Sequence, residues 1–317
     1  MSSFGIVIAT CKTDCHYAQA SFWSIRHFLG PDMPVCFIVD GDAALLGSVR
    51  KDPQVSVLDR NSVADTWLRE HCFGWGTTKM IAFYEAPFER FLYLDADALV
   101  IGNVLAFDDP NADMVTDCGQ SYSDQDINFW FFNTKSVERL YPDFDWRRFR
   151  HSYFCTGTFF SRKGVFSLED LQEKMRLAAS QPELFHFGGE MGFLNLMIFQ
   201  AAQRGALAVH SVDYQTIPVD MDDALLHDRY SPQAVARHRQ ADAVVHFCGK
   251  KAHIFTSSPK VALMNYFRLR YLLEFEQYSI LRSVLMMMRQ DMQCLFVPLF
   301  KKSFRKISHI CKKFIYK

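Results

Sequence analysis

The sequence predicts an α/β architecture, a mostly parallel sheet flanked by helices and followed by a C-terminal helical tail. Three observations predict it. Apolar runs and helical patterns alternate from the first residues. The apolar runs are short and continuous, as in strands buried on both faces. One of them, Phe91-Leu92-Tyr93-Leu94, leads directly into Asp95-Ala96-Asp97.

Residues 5–9 read as a buried strand ending at Thr10, and 17–29 as a helix stopped by Gly30-Pro31. Residues 34–39 form a second strand ending at Asp40-Gly41-Asp42, and 55–58 a weaker third. A helix over 78–85 precedes the strand at 91–94. This order implies parallel strands joined by right-handed crossovers. Ligands of such sheets bind beyond the carboxyl ends of the strands, which places Thr10, Asp40, Asp95 and Asp97 on one edge. From 108 to 153 the pattern breaks into polar and aromatic chain, read as loops and short elements that form an excursion. Regular structure resumes with a strand over 154–161, helices over 168–180 and 191–204, a strand over 241–247, and a long aromatic helix from Tyr266 to about Met292.

At 317 residues, 49% of them hydrophobic, the chain can bury a large core. The formal net charge is zero, but 301–317 holds seven Lys or Arg and no acid, so the first 300 residues carry −7. A body of that sign gives no footing for nucleic-acid binding. The nine cysteines are scattered and include no C-x-x-C pair, as expected of a reduced, cytoplasmic protein without a zinc motif. No secretion-type leader and no run of about 18 apolar residues is expected to thread a bilayer.

Two carboxylates at a sheet's interior edge are costly unless something cationic meets them. Ala96 lets the side chains of Asp95 and Asp97 converge from a bend. This suits a hard divalent ion that keeps positions open for phosphate oxygens. The alternative is a strand followed by an Asx-type turn with both aspartates solvated.

In order and spacing, four segments resemble the nucleotide-sugar glycosyltransferases of the type A (GT-A, Rossmann-like) fold, closest to family 8, the lipopolysaccharide galactosyltransferases and glycogenin. Phe91 to Asp97 resembles the family's strand and metal motif. Val245-His246-Phe247-Cys248-Gly249-Lys250 resembles its late His-aromatic-x-Gly element that ends in lysine. Thr156-Gly157-Thr158-Phe159-Phe160 resembles the strand lining the sugar pocket, and Gly189 to Asn195 the acidic turn into a helix with Leu-Asn.

The resemblance implies a glycosyltransferase that moves a sugar from a nucleotide diphosphate donor, a UDP-sugar, to a saccharide or lipid-linked saccharide, with retention at the anomeric carbon. It implies Mn²⁺ or Mg²⁺ held by Asp95, Asp97 and His246, and a mixed oxygen and imidazole set favours Mn²⁺ over Ca²⁺. Ala9, Thr10 and Lys12 fall where the family holds uracil and ribose, and Ala96 lies within the metal motif. Lys79 falls near a basic residue that faces the donor, although a lone helix lysine is also an ordinary solvated charge. Gly249 allows close backbone approach, and Lys250 places a charge on the diphosphate, a role for which Lys251 competes. Glu190 matches the acid that contacts the transferred sugar and, with Asp97, is the expected catalytic group; the other reading is a helix N-terminal charge. Met191 stands where the family has Gln, Gly192 where an acid is common, and Ala252-His253-Ile254 where Pro-Trp often follows.

The expected division is 1–265 as the catalytic unit, with 108–153 as an excursion on its acceptor side, and 266–317 as a C-terminal helix and basic amphipathic tail. In that tail Phe304, Ile307, Ile310, Cys311 and Phe314 recur at helical spacing among lysines, a pattern suited to an anionic membrane surface. The other readings are a sugar nucleotidyltransferase, for which Cys11 to Cys15 lacks glycine, and a catalytically silent scaffold of the same fold.

Overall fold

The apolar strands near the N-terminus set the frame on which everything else is placed. The computed structural model describes residues 2–74, 76–118, 120–185, 189–218, 221–237, 243–249, 253–255 and 259–294. In chain order, β1 (Ser2–Cys11), α1 (Cys15–Leu29), β2 (Val35–Asp40) and β3 (Val55–Asp59) come first. Next are α2 (Thr66–His71), α3 (Ala82–Glu85), β4 (Phe88–Asp95), β5 (Ala98–Val100), β6 (Met114–Thr116), α4 (Asp124–Trp130) and α5 (Thr134–Leu140). Then come β7 (Thr158–Arg162), α6 (Leu168–Ser180), α7 (Glu190–Gln203), β8 (Val209–Ser211) and β9 (Gln215–Thr216). The last named elements are α8 (Asp223–Tyr230), α9 (Pro232–Arg237), β10 (Val244–His246) and α10 (Pro259–Glu274), and residues 280–294 are again helical.

A seven-stranded sheet has the order β3-β2-β1-β4-β7-β6-β8, and a three-stranded sheet the order β5-β10-β9. The four strands β3-β2-β1-β4 are parallel throughout, as expected. Alternation along each strand sorts side chains into two cores. Ile6 and Ile8 of β1 and Leu92 and Leu94 of β4 face a core built with Phe22 of α1 and Phe267 of α10. Val7, Phe91 and Tyr93 face the other, with Phe83 of α3 and Phe199 of α7. Burial on both faces explains why these strands read as unbroken apolar runs.

Two expectations need correction, the excursion and the last helix. The excursion over 108–153 does hold short elements, but it also supplies β6, a strand of the main sheet only three residues long. Among the described residues, β7 alone runs against the other strands of that sheet, pairing antiparallel with both β4 and β6. The helix expected from Tyr266 to Met292 is broken at 275–279. There Gln277 has φ 54°, and Glu276 turns back to accept hydrogen bonds from Ser48 N and Oγ, both at 2.9 Å, and from Tyr271 OH at 2.7 Å. Residue 265 falls inside α10, whose Met264, Phe267 and Tyr271 all belong to the first core.

A buried ion pair holds the 280–294 helix to α10. Arg268, 2% exposed, donates to both carboxylate oxygens of fully buried Asp291 at 2.8 and 3.2 Å, and Ile254 N donates to Asp291 Oδ2 at 2.7 Å. Removing one partner strands a buried charge, which costs more than the pair contributes over an apolar replacement. Asp291→Ala is therefore expected to lower unfolding free energy by about 3–5 kcal/mol, and adding Arg268→Met to recover most of it. Urea melts of the single and double variants check this.

Candidate active site

The carboxyl ends of β1, β2 and β4 stand level, with Ala9 opposite Asp95 and Cys11 opposite Asp40 in register. A cleft of about 440 Å³ opens there, a size suited to a small organic ligand. β4 ends at Asp95 and the chain turns at once into β5, so Asp97 projects into the same cleft. β10 pairs antiparallel with β5, placing His246 opposite Ala98, and Phe247 N donates to Asp97 O at 3.0 Å. That small sheet carries a residue from far along the chain to the aspartates. His246 Nε2 lies 3.5 Å from Asp97 Oδ1 and 3.7 Å from Asp95 Oδ2.

Gly157 makes this approach possible. Its carbonyl accepts Asp95 N at 2.7 Å, extending the pairing of β4 with β7. A Cβ added at Gly157 would lie 2.1, 2.3 and 2.6 Å from three atoms of the His246 ring. No residue with a side chain fits while the imidazole stands beside the aspartates. The donor atoms of Asp95, Asp97 and His246 lie within 4.8 Å of one another. Two carboxylates and an imidazole, with open space on the cleft side, fit a divalent ion such as Mn²⁺ or Mg²⁺.

Lys79, 3% exposed, is not a solvated helix charge. Its Nζ lies 3.1 Å from Asp95 Oδ1, 2.6 Å from Glu190 Oε1 and 2.9 Å from Thr156 O. Burial opposes its charge, but Asp95 and Glu190 together outweigh burial and hold it above the ordinary lysine range. Burial pushes the Glu190 carboxyl upward against the pull of Lys79. Glu190 begins α7 and also accepts from Thr156 Oγ1. Tyr93 OH donates to Asp95 Oδ1 at 2.7 Å.

Of the residues expected at the site, Ala9, Thr10, Lys79, Asp95, Ala96 and Asp97 all line the cleft. Glu190, His246 and Gly249 line it too. Lys12 is exposed and does not line it. Lys250 and Lys251 lie outside the described residues, as do the tail over 301–317 and Phe296 to Phe300. Met191 lines the cleft where the resemblance has Gln. The Gly192 departure has a steric cause: a Cβ there would lie 1.8 Å from Phe131 O, so no acid can stand at that position. Asn195 is fully buried and holds the chain before β7, donating to Phe154 O at 2.9 Å and accepting from Phe154 N at 3.1 Å.

The sequence reading placed Asp40 on the ligand edge without giving it a role and missed Cys155 and Cys248, although all three line the cleft. Asp40 carries the same signal as Asp95, an acid closing an apolar strand. Cys155 carries no local signal, since it precedes His246 by 91 positions, whereas Cys248 stands two residues after His246 in the segment already singled out.

No protein-family model matches the chain, and no curated protein sequence matches it. Solved structures do. A galactosyltransferase, LgtC, crystallised with donor and acceptor sugar analogues, superposes with a TM-score of 0.53 over 83% of this chain and 93% of its own, at 14% identity. The glycosyltransferase GlyE of Streptococcus pneumoniae gives 0.53 over 88% of this chain and 63% of its own, at 12% identity. The bifunctional glycosyltransferase WbbM gives 0.53 over 89% and 52%, at 11% identity. The chain has the GT-A fold that these glycosyltransferases share.

If the imidazole completes a metal site, Gly157→Ala should weaken Mn²⁺ binding by at least about tenfold, the lower bound for losing even a supporting partner of a ligand. Overpacking at that position should cost about 1–3 kcal/mol of stability. Calorimetric titration with Mn²⁺ and urea melts read the two effects separately; undiminished Mn²⁺ affinity would remove His246 from the ligand set.

Proposed function

We propose that the protein is a metal-dependent glycosyltransferase that moves a sugar from a nucleotide diphosphate donor, a UDP-sugar, to a saccharide or lipid-linked saccharide. The observation that carries this reading is the convergence of Asp95, Asp97 and His246 in one cleft at the strand ends of a GT-A fold. Bound there, Mn²⁺ or Mg²⁺ would supply Lewis-acid stabilisation of the departing diphosphate. Asp95, Asp97 and His246 would hold that ion, and Ala9 and Thr10, at the end of β1 in the same cleft, would meet the nucleotide. Lys250 or Lys251 would add a charge to the diphosphate. Lys79 balances Asp95 and Glu190, which keeps both acids fixed while the donor binds. Glu190 is the acid we assign to the face of the transferred sugar, with retention as the stereochemical outcome.

A panel of UDP-sugars, assayed for transfer and hydrolysis with and without Mn²⁺, tests the reading. Turnover that needs Mn²⁺ and falls by at least about 100-fold in Asp97→Asn is expected, the loss of one electrostatic stabiliser being worth about that much. Metal-dependent UDP binding without turnover would instead mark a silent scaffold. Release of pyrophosphate from UTP and a sugar phosphate would mark a nucleotidyltransferase. The anomeric configuration of the product, read by NMR, decides retention.

In the same reading the unit that carries transfer includes α10, whose Phe267 and Tyr271 belong to its core, and the basic tail over 301–317 faces a membrane that holds a lipid-linked acceptor. No helix among the described residues is long and apolar enough to cross a bilayer. The 280–294 helix leaves Leu281 and Leu285 72% and 56% exposed just ahead of the basic tail. Each basic residue near an anionic surface contributes about 1 kcal/mol. Replacing Lys301, Lys302, Arg305 and Lys306 by Gln should therefore abolish co-flotation of the full chain with phosphatidylserine vesicles at physiological salt. Equal flotation of both forms, or of neither, removes the membrane from the proposal.

A further inference from the structure

His246 presents one ring nitrogen to each of two ligand sets. Nε2 faces the carboxylates of Asp95 and Asp97, while Nδ1 lies 3.6 Å from Cys155 Sγ. The donor atoms of Cys155, His246 and Cys248 also lie within 4.8 Å of one another, and both sulfurs belong to residues lining the open cleft. Two sulfurs and an imidazole, with a fourth position open to solvent, make a donor set for a borderline-soft tetrahedral ion and a poor one for Mn²⁺ or Mg²⁺.

We propose that Cys155, Cys248 and His246 Nδ1 form a second, thiolate-rich site for Zn²⁺, and that filling it withdraws His246 from the Asp95 and Asp97 site. A neutral imidazole has one lone pair for coordination, because its other nitrogen carries the proton. With a hard ion on Nε2, the proton sits on Nδ1 and points to the Cys155 sulfur. With Zn²⁺ on Nδ1, the proton sits on Nε2 and points to the carboxylates. A ring that keeps its proton can therefore serve only one of the two ions at a time. Zinc binding displaces the thiol protons of Cys155 and Cys248 to solvent and changes no oxidation state. The ring already fills the space left by the missing Cβ of Gly157, with β10 paired to β5, so both nitrogens face their donor sets without any rearrangement of the chain.

The inference concerns metal binding alone and stands or falls apart from sugar transfer. The metal-stripped, reduced full chain is titrated with Co²⁺ as an optical probe for Zn²⁺. The expected result is a near-ultraviolet sulfur-to-cobalt charge-transfer band, bleached by Zn²⁺, absent in Cys155→Ser and in Cys248→Ser, and retained in Asp97→Asn. Zn²⁺ should also weaken Mn²⁺ binding, read from the paramagnetic resonance of free Mn²⁺, by at least tenfold in the native chain and not in Cys248→Ser. Cys248→Ala serves as a second variant should the serine form fold poorly, and circular dichroism monitors folding. A cobalt spectrum without a sulfur band, or a band that survives both cysteine substitutions, overturns the site. Simultaneous tight binding of Mn²⁺ and Zn²⁺ overturns the exclusion.

Discussion

Two carboxylates, Asp95 and Glu190, share a single buried ammonium, and the arrangement of the cleft depends on that match. Lys79 is drawn in from the short helical segment before β4, past the end of the sheet, to within 3.1 and 2.6 Å of the two acids. A lysine 3% exposed is costly to desolvate, and one carboxylate would not ordinarily offset that cost. Two do, and the Thr156 carbonyl takes part of the remaining hydrogen-bonding capacity. The pairings tie together three elements that are distant in sequence: the end of β4, the loop before β7 and the first turn of α7.

The same match limits what each acid can do. Asp95 gives Oδ1 to Lys79 and Tyr93, which leaves Oδ2 on the side of His246. Asp97 is 3% exposed and stands beside His246 from the other side of the turn. Glu190 gives Oε1 to Lys79 and Thr156. Asp95 and Glu190 are thus held by Lys79 and a neighbouring hydroxyl while both residues still line the cleft, the condition for a group that must hold its orientation when a charged ligand arrives.

How much of this the sequence disclosed follows from the length scale of each signal. β1, β2 and β4 are buried on both faces, so their apolar runs announce them, and the acids that close two of them mark the ligand edge. α1 and α6 carry caps and breaks that sequence alone resolves; Ser167 accepts from Asp170 N, and α1 stops at Gly30. β6 has three residues, too few for any periodicity to register. The reversed direction of β7 depends on where the chain returns after the excursion, which no local pattern encodes. In the site, Asp95, Asp97 and His246 were legible because chemistry and spacing are local to two short segments. Lys79 was noticed but not its partners, since a buried pairing across separate elements leaves no periodic trace. The break at 275–279 was hidden because Glu276 looks like any helix glutamate until Ser48 is known to lie beside it.

Gly157 shows where local reading and tertiary packing meet. In sequence it is one small residue of a strand that resembles a sugar-binding segment. In the structure it is the space that His246 occupies. Because β10 is paired with β5, and β5 continues directly from the aspartates, the ring cannot retreat along its strand; because Gly157 lacks a Cβ, it can advance onto Asp95 and Asp97. That position also brings Nδ1 against Cys155, so one imidazole separates an oxygen-rich side from a sulfur-rich side of the same cleft. A neutral imidazole carries one proton, so the same ring can donate toward the cysteines or toward the aspartates but not toward both.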